Sequence, residues 1–206
     1  GVQTCALPIS QEFMVESDSG EDVCVFCDTC GYAANVEIAA TKVAPVGRID
    51  NPGDIEKFAT PNEKTIDELV EAYKLDEHRC AKSVVYIAKD EPILLLMRGN
   101  DELNDTKLEA LLGHGEFRPA TEDELFEFTG AHGGSIGPVN LKTEMRVIAD
   151  KLLEGANGLV SGACKDGYHL KNIDFERDVK IEEYHDLRTA QEGEACPECG
   201  KPVRIV

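Results

Sequence analysis

The sequence places paired cysteines near its two ends. Cys27 and Cys30 lie in CDTCGY, and Cys196 and Cys199 lie in ACPECGK. Each Cys-x-x-Cys pair can supply two thiolates to one metal ion, and the glycine after each pair is typical of a zinc-knuckle turn. Because structural zinc sites are tetrahedral and favour four sulfur ligands, we expect these cysteines to bind one structural Zn²⁺ ion. Most of the chain then forms a domain inserted between the two halves of the metal site.

The spacing leaves one alternative open in the first half of this site. Cys24 and Cys27 form an equally good Cys-x-x-Cys pair, although the glycine after Cys30 favours Cys27 with Cys30. Among the eight cysteines, we expect Cys80 and Cys164 to be packed thiols rather than nucleophiles. No signal peptide with a basic n-region is visible, so the paired spacing favours metal binding over disulfide bonds.

The N-terminal stretch GVQTCALPI is similar to the translation of a sequencing-library adapter. We therefore interpret residues 1–9 as an artefact, with Cys5 among them, and exclude them from the fold. On this interpretation the chain begins mid-gene. The runs EFMVES and EDVCVFC, separated by DSG, predict a β-hairpin at the start of the protein proper.

Composition excludes several classes of protein. The 206 residues, 42% of them hydrophobic, suffice for one larger domain or for one domain with an appendage. No apolar run is long enough to cross a membrane, so we expect a cytoplasmic protein with no membrane partner. The net charge of −19 repels polyanions and argues against a free-standing nucleic-acid binder.

Between the cysteine pairs, strand and helix signals alternate. Residues 41–60 have the proline and glycine content of a linker. Capping boxes in TIDE and TEDE, and an N-cap at Asn104, then predict three helices, the last two closed by Gly113 and Gly130. SVVYIA and PILLLMR predict strands joined by a tight turn, the second buried on both faces. With further strands in MRVIA, GLVSGA and YHLKNI, this order predicts an α/β domain over residues 61–185.

A series of motifs connects this chain to a known family. In order they are QEFMVESDSGEDV, CDTCGYAANVE, TPNEKTIDEL, AKSVVYIA, RGNDELNDTKL, ATEDELFEFTG, GGSIGPV, VIAD, DGYHLKNIDFERD and DLRTAQEGEACPECG. On these motifs the chain resembles the inserted editing domain of bacterial-type prolyl-tRNA synthetases, a member of the YbaK/aminoacyl-tRNA-synthetase-associated deacylase family. Gln11 departs from the family, which usually has histidine there.

The resemblance implies a mixed-sheet, YbaK-like α/β domain inserted into a small zinc ribbon and β-hairpin. Residues 10–40 would be a hairpin remnant of the catalytic core with the first half of the ribbon, and residues 186–206 the second half. Synthesis would be absent, because ATP and Mg²⁺ act in the core of a full-length enzyme, which the family implies is a homodimer. The implied partners are the rest of the synthetase and the 3′ end of tRNA(Pro).

The implied activity is hydrolysis of alanine wrongly esterified to tRNA(Pro). A synthetic site sized for proline cannot strongly reject the smaller alanine, because each missing methylene costs only about 1–3 kcal/mol. A second pocket that admits alanine and excludes proline restores accuracy.

The resemblance also implies the residues of that pocket. Gly134, Gly137 and Pro138 match a Gly-x-x-x-Pro loop, whose glycines permit close backbone approach and leave N–H groups for an ester carbonyl. Lys82 matches the lysine before the buried strand and is expected to hold the terminal phosphate or ribose.

Two further positions are predicted with their structural alternatives. His169 is expected to orient substrate or water, or else to be a structural histidine. Asp150 is expected to contact the ligand or to cap the following turn. Asn100, Glu102 and Asn104 of RGNDELN are interpreted chiefly as a turn and N-cap. Hydrolysis by a positioned water, without a covalent intermediate, is what the family implies.

Two other functions remain possible on the sequence. The insertion could have lost editing and only support the synthetase core, or the chain could be a zinc-ribbon module that binds protein or nucleic acid. The acidic composition and the lack of interleaved basic and aromatic residues weigh against the last.

Overall fold

The computed structural model describes residues 23–206. The predicted adapter-like residues 1–9, Gln11 and the first run of the predicted N-terminal hairpin lie outside the described residues. In the described part, strands and helices alternate along the chain, so the predicted α/β class is confirmed. The strands are β1 (Cys24–Phe26), β2 (Ala33–Asn35), β3 (Glu56–Ala59), β4 (Ala81–Ala88), β5 (Glu91–Arg98), β6 (Phe117–Pro119), β7 (Arg146–Asp150), β8 (Leu159–Gly162), β9 (Tyr168–Ile173), β10 (Glu183–His185) and β11 (Arg204–Ile205).

The described residues form four α-helices, and the first three begin where the capping signals of the sequence predict. The four are α1 (Ile66–Tyr73), α2 (Asp105–Leu112), α3 (Glu122–Thr129) and α4 (Phe175–Asp178). Thr65 and Glu68 form a complete capping box at the start of α1, and Thr121 and Glu124 form another at the start of α3. Gly113 and Gly130 end α2 and α3 in the left-handed conformation, which glycine adopts without a steric penalty.

The largest sheet is mixed and has the strand order β10-β7-β5-β4-β6. β7 is parallel to β5 and β10, whereas β4 pairs antiparallel with β5 and β6. A two-residue turn with positive φ at Lys89 and Asp90 joins β4 to β5. β5 lies at the centre of the sheet, and its residues 93–97 are almost completely buried, as its continuous apolar run predicts.

A second sheet, β3-β9-β8, packs against the first. A parallel bridge between Cys80 and Val160 joins the two sheets, and their facing side chains share one apolar core. β3 lies inside the segment predicted to be a linker, so this prediction is wrong for residues 56–59. Its four residues show no clear alternation of hydrophobic and polar side chains. Pairing with β9, rather than local propensity, makes them a strand.

The two ends of the described chain meet in a third sheet, β11-β1-β2. β1 pairs antiparallel with β2 on one side and with β11 on the other. A small core with Val25, Ala39, Ala190 and Val203 lies beneath this sheet and includes two of the cysteines. We call this sheet and its loops the terminal module.

Candidate functional site

A cavity of about 820 Å³ opens between the first two sheets. Its walls come from β4, the end of β8, the start of β9, the start of α1, and the loop up to Ile136. Among the residues predicted from the family resemblance, Lys82, Gly134 and His169 line this cavity. The fold thus brings together residues that are up to 87 positions apart in the chain, from Lys82 to His169.

Lys82 enters the cavity from the beginning of β4 and is half-buried. Its ammonium group donates a hydrogen bond to the backbone carbonyl of Asp101. Burial lowers the pKa of Lys82, because desolvation penalises the charged form, while the negative charges of Asp101 and Glu102 act in the opposite direction. The side chain is therefore held in place in a partly dry environment.

His169 lies in β9 with only 4% of its surface exposed. A hydrogen bond of 2.7 Å joins its Nδ1 to Oγ1 of the buried Thr60, and its ring packs beside Phe58. Burial lowers the pKa of His169 to about 4, only partly opposed by the charge of Glu63. The imidazole is consequently neutral near pH 7, with Nδ1 already engaged.

The loop from Gly134 to Pro138 is pressed against neighbouring backbone. Gly134 has φ +88°, and a Cβ there would lie 3.1 Å from the carbonyl oxygen of Lys64. A Cβ on Gly137 would lie 1.8 Å from the carbonyl oxygen of Gly162 in β8, which is impossible for a side chain. Gly137 and Pro138 are buried behind the cavity wall rather than part of its lining. They fix the loop, and of the three predicted residues of the motif only Gly134 lines the cavity.

Asp150 also lies outside the cavity lining. Its fully buried carboxylate accepts hydrogen bonds from the backbone N–H groups of Leu152 and Leu187, both at 2.9 Å. Burial raises the pKa of Asp150, with these two hydrogen bonds acting against it. Of the two roles expected for Asp150, this geometry is that of a cap for the following turn.

Sequence reasoning missed a pair of serines in the cavity. Ser83 Oγ lies 3.3 Å from Ser161 Oγ, and Ser161 donates a 2.7 Å hydrogen bond to the carbonyl of Ala81. The strands β4 and β8 place them face to face. Isolated serines in strands carry no local signal, so only the packing of the two sheets reveals them.

Two of the other cysteines and the RGNDELN turn fit their predicted structural roles. Cys80 is buried, and burial raises the pKa of its thiol to about 11. Burial also raises the pKa of Cys164, whose Sγ donates to the carbonyl of Gly137 at 3.1 Å. Neither thiol is poised as a nucleophile. Asn104 caps α2 by accepting a hydrogen bond from the N–H of Lys107 at 3.1 Å.

The terminal module brings both Cys-x-x-Cys pairs to one point. The thiol sulfurs of Cys27, Cys30, Cys196 and Cys199 all lie within 4.8 Å of one another. The Cys27–Cys199 and Cys30–Cys196 sulfur distances are 3.5 and 3.6 Å. Four sulfurs at 2.3 Å from a tetrahedral Zn²⁺ ion are about 3.8 Å apart, so the cluster has the size that zinc requires. Cys24 is not among the four clustered cysteines.

The acid–base properties of the cluster also suit a cation. Backbone hydrogen bonds, first that of Cys30, lower the pKa of Cys27 to about 7. For Cys30, a backbone hydrogen bond from Tyr32 lowers the pKa, but desolvation and the neighbouring sulfurs outweigh it and raise the pKa to about 12. Adjacent thiolates therefore repel each other in the bare cluster, and a bound metal ion removes that conflict.

No helix within residues 23–206 has the length and hydropathy to cross a membrane.

Comparison with known proteins places this geometry in a family. The family model for the aminoacyl-tRNA editing domain matches residues 60–177. The chain is 42% identical over 201 residues to the proline--tRNA ligase of Limosilactobacillus fermentum, covering 95% of this chain and 35% of that protein. It is 39% identical over 196 residues to the proline--tRNA ligase of Halothermothrix orenii, covering 95% of this chain and 34% of that protein. The chain thus spans about a third of the length of these curated relatives.

Solved structures share the fold. A structure described as a candidate trans-editing enzyme for prolyl tRNA synthetase superposes with a TM-score of 0.58 at 22% identity, covering 66% of this chain and 87% of that chain. A hypothetical protein, APE2540, superposes with a TM-score of 0.55 at 18% identity, covering 65% of this chain and 91% of that chain. Together, the match over residues 60–177 and the fold establish that the chain belongs to the aminoacyl-tRNA editing domain family.

Proposed function

We propose that this chain is the editing part of a bacterial-type prolyl-tRNA synthetase and that its cavity hydrolyses alanyl-tRNA(Pro). The observation that carries the proposal is the cavity lined by Lys82, Gly134 and His169 within the segment that matches the editing family. The likeness to proline--tRNA ligases over most of the chain supports the choice of tRNA(Pro). The match to the editing family over residues 60–177 favours this function over a structural insertion or an interaction module.

Hydrolysis in this cavity needs a water, a polarised ester carbonyl and a leaving hydroxyl. The water oxygen bonds to the carbonyl carbon, the bond from that carbon to the ribose oxygen breaks, and the released proton ends on the ribose oxygen. We assign the developing negative charge on the carbonyl oxygen to backbone N–H groups of the loop at Gly134. Free alanine and tRNA with an intact 3′ hydroxyl are the products.

The side chains hold the substrate and the water. The half-buried ammonium of Lys82 is suited to the terminal phosphate or ribose, because a partly dry environment strengthens its attraction to an anion. His169 is neutral near pH 7, and the contact of Nδ1 with Thr60 leaves Nε2 for the water or a ribose hydroxyl. Nothing in this scheme requires a covalent intermediate on the protein.

Discrimination against proline depends on a rigid wall. Gly137 and Gly162 touch backbone to backbone, so the loop that carries Gly134 cannot retreat into β8 to admit a larger ring. We propose that the part of the cavity beside Gly134 receives alanine and that the remaining volume receives the terminal adenosine. Proline is then excluded by overlap with this wall.

We propose that the terminal module is a structural zinc ribbon closed around Cys27, Cys30, Cys196 and Cys199, with the editing domain inserted between its halves. Zinc would hold the two chain ends together and take no part in hydrolysis. ATP and Mg²⁺ would act only in the core of a complete synthetase, which we expect to be a homodimer.

The net charge of −19 limits how the substrate arrives. Such a chain repels tRNA at long range, so delivery of the 3′ end is assigned to the rest of the synthetase. We expect the isolated chain to bind tRNA(Pro) very weakly, and more weakly still as salt rises. Nanomolar binding to the isolated chain would contradict this.

Parallel deacylation assays test the proposal. Wild-type chain is incubated with alanyl-tRNA(Pro) and with prolyl-tRNA(Pro), alone and after fusion to the synthetase core of a relative. We expect release of alanine but not of proline, and a loss of alanine release in Gly134→Ala, whose Cβ meets Lys64. Equal release of both amino acids, or none even with the core restored, would refute an editing function.

A further inference from the structure

Asp101 is a buried carboxylate that the scheme above does not use. It lies three residues after the end of β5, and none of its surface is exposed. Arg98 donates two parallel hydrogen bonds of 2.8 and 2.9 Å to the carboxylate. The Nε of Arg188 lies 3.2 Å from the same carboxylate. Burial opposes the ionised form of Asp101, but these two arginines outweigh it and lower the pKa of Asp101 below its ordinary value.

The same residue holds Lys82. The ammonium of Lys82 donates to the backbone carbonyl of Asp101, while the Asp101 side chain is fixed by Arg98 and Arg188. A carbonyl whose own side chain is clamped by two guanidinium groups has little freedom to move. The position of the Lys82 ammonium in the cavity therefore depends on a buried ion cluster behind it.

Arg188 extends this cluster to the terminal module. Only 4% of its side chain is exposed. It also pairs with Glu194 and donates to Thr41 Oγ1 at 3.1 Å. Thr41 and Glu194 stand beside the bridge between Lys42 and Ala195 that closes the module near the cysteine cluster. A series of buried and partly buried ion pairs and hydrogen bonds thus joins the terminal module to Lys82.

We propose that Asp101 is a positioning residue for Lys82 and that Arg188 couples this position to the terminal module. The proposal rests on the proposed role of Lys82 in editing. In this arrangement the terminal module is more than a support for the chain ends, because it also fixes the cation that receives the tRNA end.

The charges around Lys82 make the proposal measurable. Asp101 and Glu102 are the anions that oppose the lowering of its pKa by burial. Removing either charge lowers the pKa of Lys82 further, so the fall in activity at high pH begins at a lower pH. The other charged or titratable groups of the cavity and its surroundings are Lys64 before α1, Asp67 of α1, Glu77, Cys80, Tyr86 of β4, His169 of β9, Arg98 and Arg188.

Three variants separate the effect of the position of the Lys82 ammonium from the effect of the negative charges near it. Asp101→Asn changes both the position and the charge. Arg188→Lys keeps the positive charge but loses the planar guanidinium that contacts Asp101. Glu102→Gln removes an exposed negative charge without moving the Asp101 carbonyl. We expect Asp101→Asn to lower kcat/KM for alanyl-tRNA(Pro) at least tenfold. We also expect it to shift the alkaline limb of the pH–rate profile, where activity falls at high pH, to lower pH by about one unit. Arg188→Lys should lower kcat/KM with no shift of the limb, and Glu102→Gln should shift the limb alone.

A direct titration of the Lys82 side chain by NMR accompanies the kinetics, with the resonance assigned from Lys82→Arg. Glu144→Gln, an exposed carboxylate paired with Lys180, is the matched control and should shift nothing. Where Asp101→Asn fails to fold, Arg188→Lys and Glu102→Gln still decide the question. An unchanged Lys82 titration in Glu102→Gln, together with full activity in Arg188→Lys, would overturn the proposal. A wild-type chain that titrates as expected but releases no alanine, even with the core restored, would instead refute the editing function.

Discussion

The cavity and the four-cysteine cluster are built on opposite principles. The cavity is lined by elements of one folded domain, and its polar side chains already have partners, such as Thr60 for His169 and Asp101 for Lys82. The cluster joins residues as far apart as Cys27 and Cys199 above a small apolar core, and its thiols have opposed pKa shifts. The cavity is therefore preorganised by the chain itself, whereas the cluster gathers four thiols that could bind a metal ion.

The largest effect is expected from the cluster. Cys196→Ser removes one of four soft ligands from a buried position, so we expect bound zinc to fall from about one ion per chain to near zero and the terminal module to unfold. Atomic absorption measures the zinc, and hydrogen exchange of β1, β2 and β11 measures the unfolding.

Cys24→Ser is the matched control, because Cys24 has the same Cys-x-x-Cys spacing to Cys27 but lies in β1 outside the four-cysteine cluster. Zinc content should be unchanged in this variant. Loss of zinc in Cys24→Ser with retention in Cys30→Ser would show that the alternative pair supplies the ligands.

A smaller but still large effect is expected at the cavity wall. Gly137→Ala places a Cβ 1.8 Å from the carbonyl of Gly162, so the loop and β8 must separate, at a cost of about 2–4 kcal/mol in the free energy of unfolding. Gly113→Ala is the control: unlike Gly137 it has a positive φ, but no atom lies within 4 Å of the added Cβ, so only backbone strain of about 1 kcal/mol is expected. Urea denaturation compares the free energies of unfolding of the two variants. Equal losses would show that the loop and β8 are not tightly packed at Gly137.

The histidine in the cavity should make stability depend on pH. The pKa of His169 is about 4 in the folded chain against 6.5 for an exposed histidine, so the unfolded chain binds more protons between these values. The neutral histidine therefore contributes stability that is fully present above pH 6.5 and is lost as pH falls towards 4, about 3 kcal/mol in total.

His169→Gln should flatten the pH dependence of unfolding in this window relative to the wild type. His78→Gln, which changes an exposed histidine, should leave the dependence as it is. A wild-type slope retained in His169→Gln would mean that other groups, chiefly carboxylates, account for the acid sensitivity.

The smallest effect is expected at a helix end. Thr121→Ala removes the side chain that accepts the N–H of Glu124 at the start of α3, so we expect a loss of about 1 kcal/mol in the free energy of unfolding. Zinc content should stay constant, which confines the effect to the editing domain. Thr143→Ala, at a position outside the helices and strands, is the control for loss of a threonine side chain. A loss well above 2 kcal/mol would show that α3 depends on its cap more than on packing.

What the sequence could reveal depended on distance along the chain. The capping boxes at Thr65 and Thr121 and the apolar run of β5 are local signals, and each predicted its element correctly. The cysteine pairs were equally easy to recognise, because each Cys-x-x-Cys pair is a four-residue pattern in the sequence and the fold only brings the two pairs together.

Features created by contact between distant segments were hidden. β3 was predicted as linker because only its pairing with β9 makes it a strand. The predicted site separated into Gly134, Lys82 and His169 at the cavity and Gly137, Pro138 and Asp150 outside its lining, a distinction that depends on which sheet faces which. Ser83 and Ser161, 78 residues apart, meet only after the sheets have packed.

The most direct test of the account is single-turnover hydrolysis of alanyl-tRNA(Pro) by the wild type and by Lys82→Ala, fused to a synthetase core, with zinc measured in each sample. Lys180→Ala, which removes an exposed lysine paired with Glu144, is the control. The account predicts release of alanine by the wild type and by Lys180→Ala, and a rate about 100-fold lower in Lys82→Ala at unchanged zinc content. Undiminished release in Lys82→Ala, or a rate that follows zinc content instead of Lys82, would contradict it.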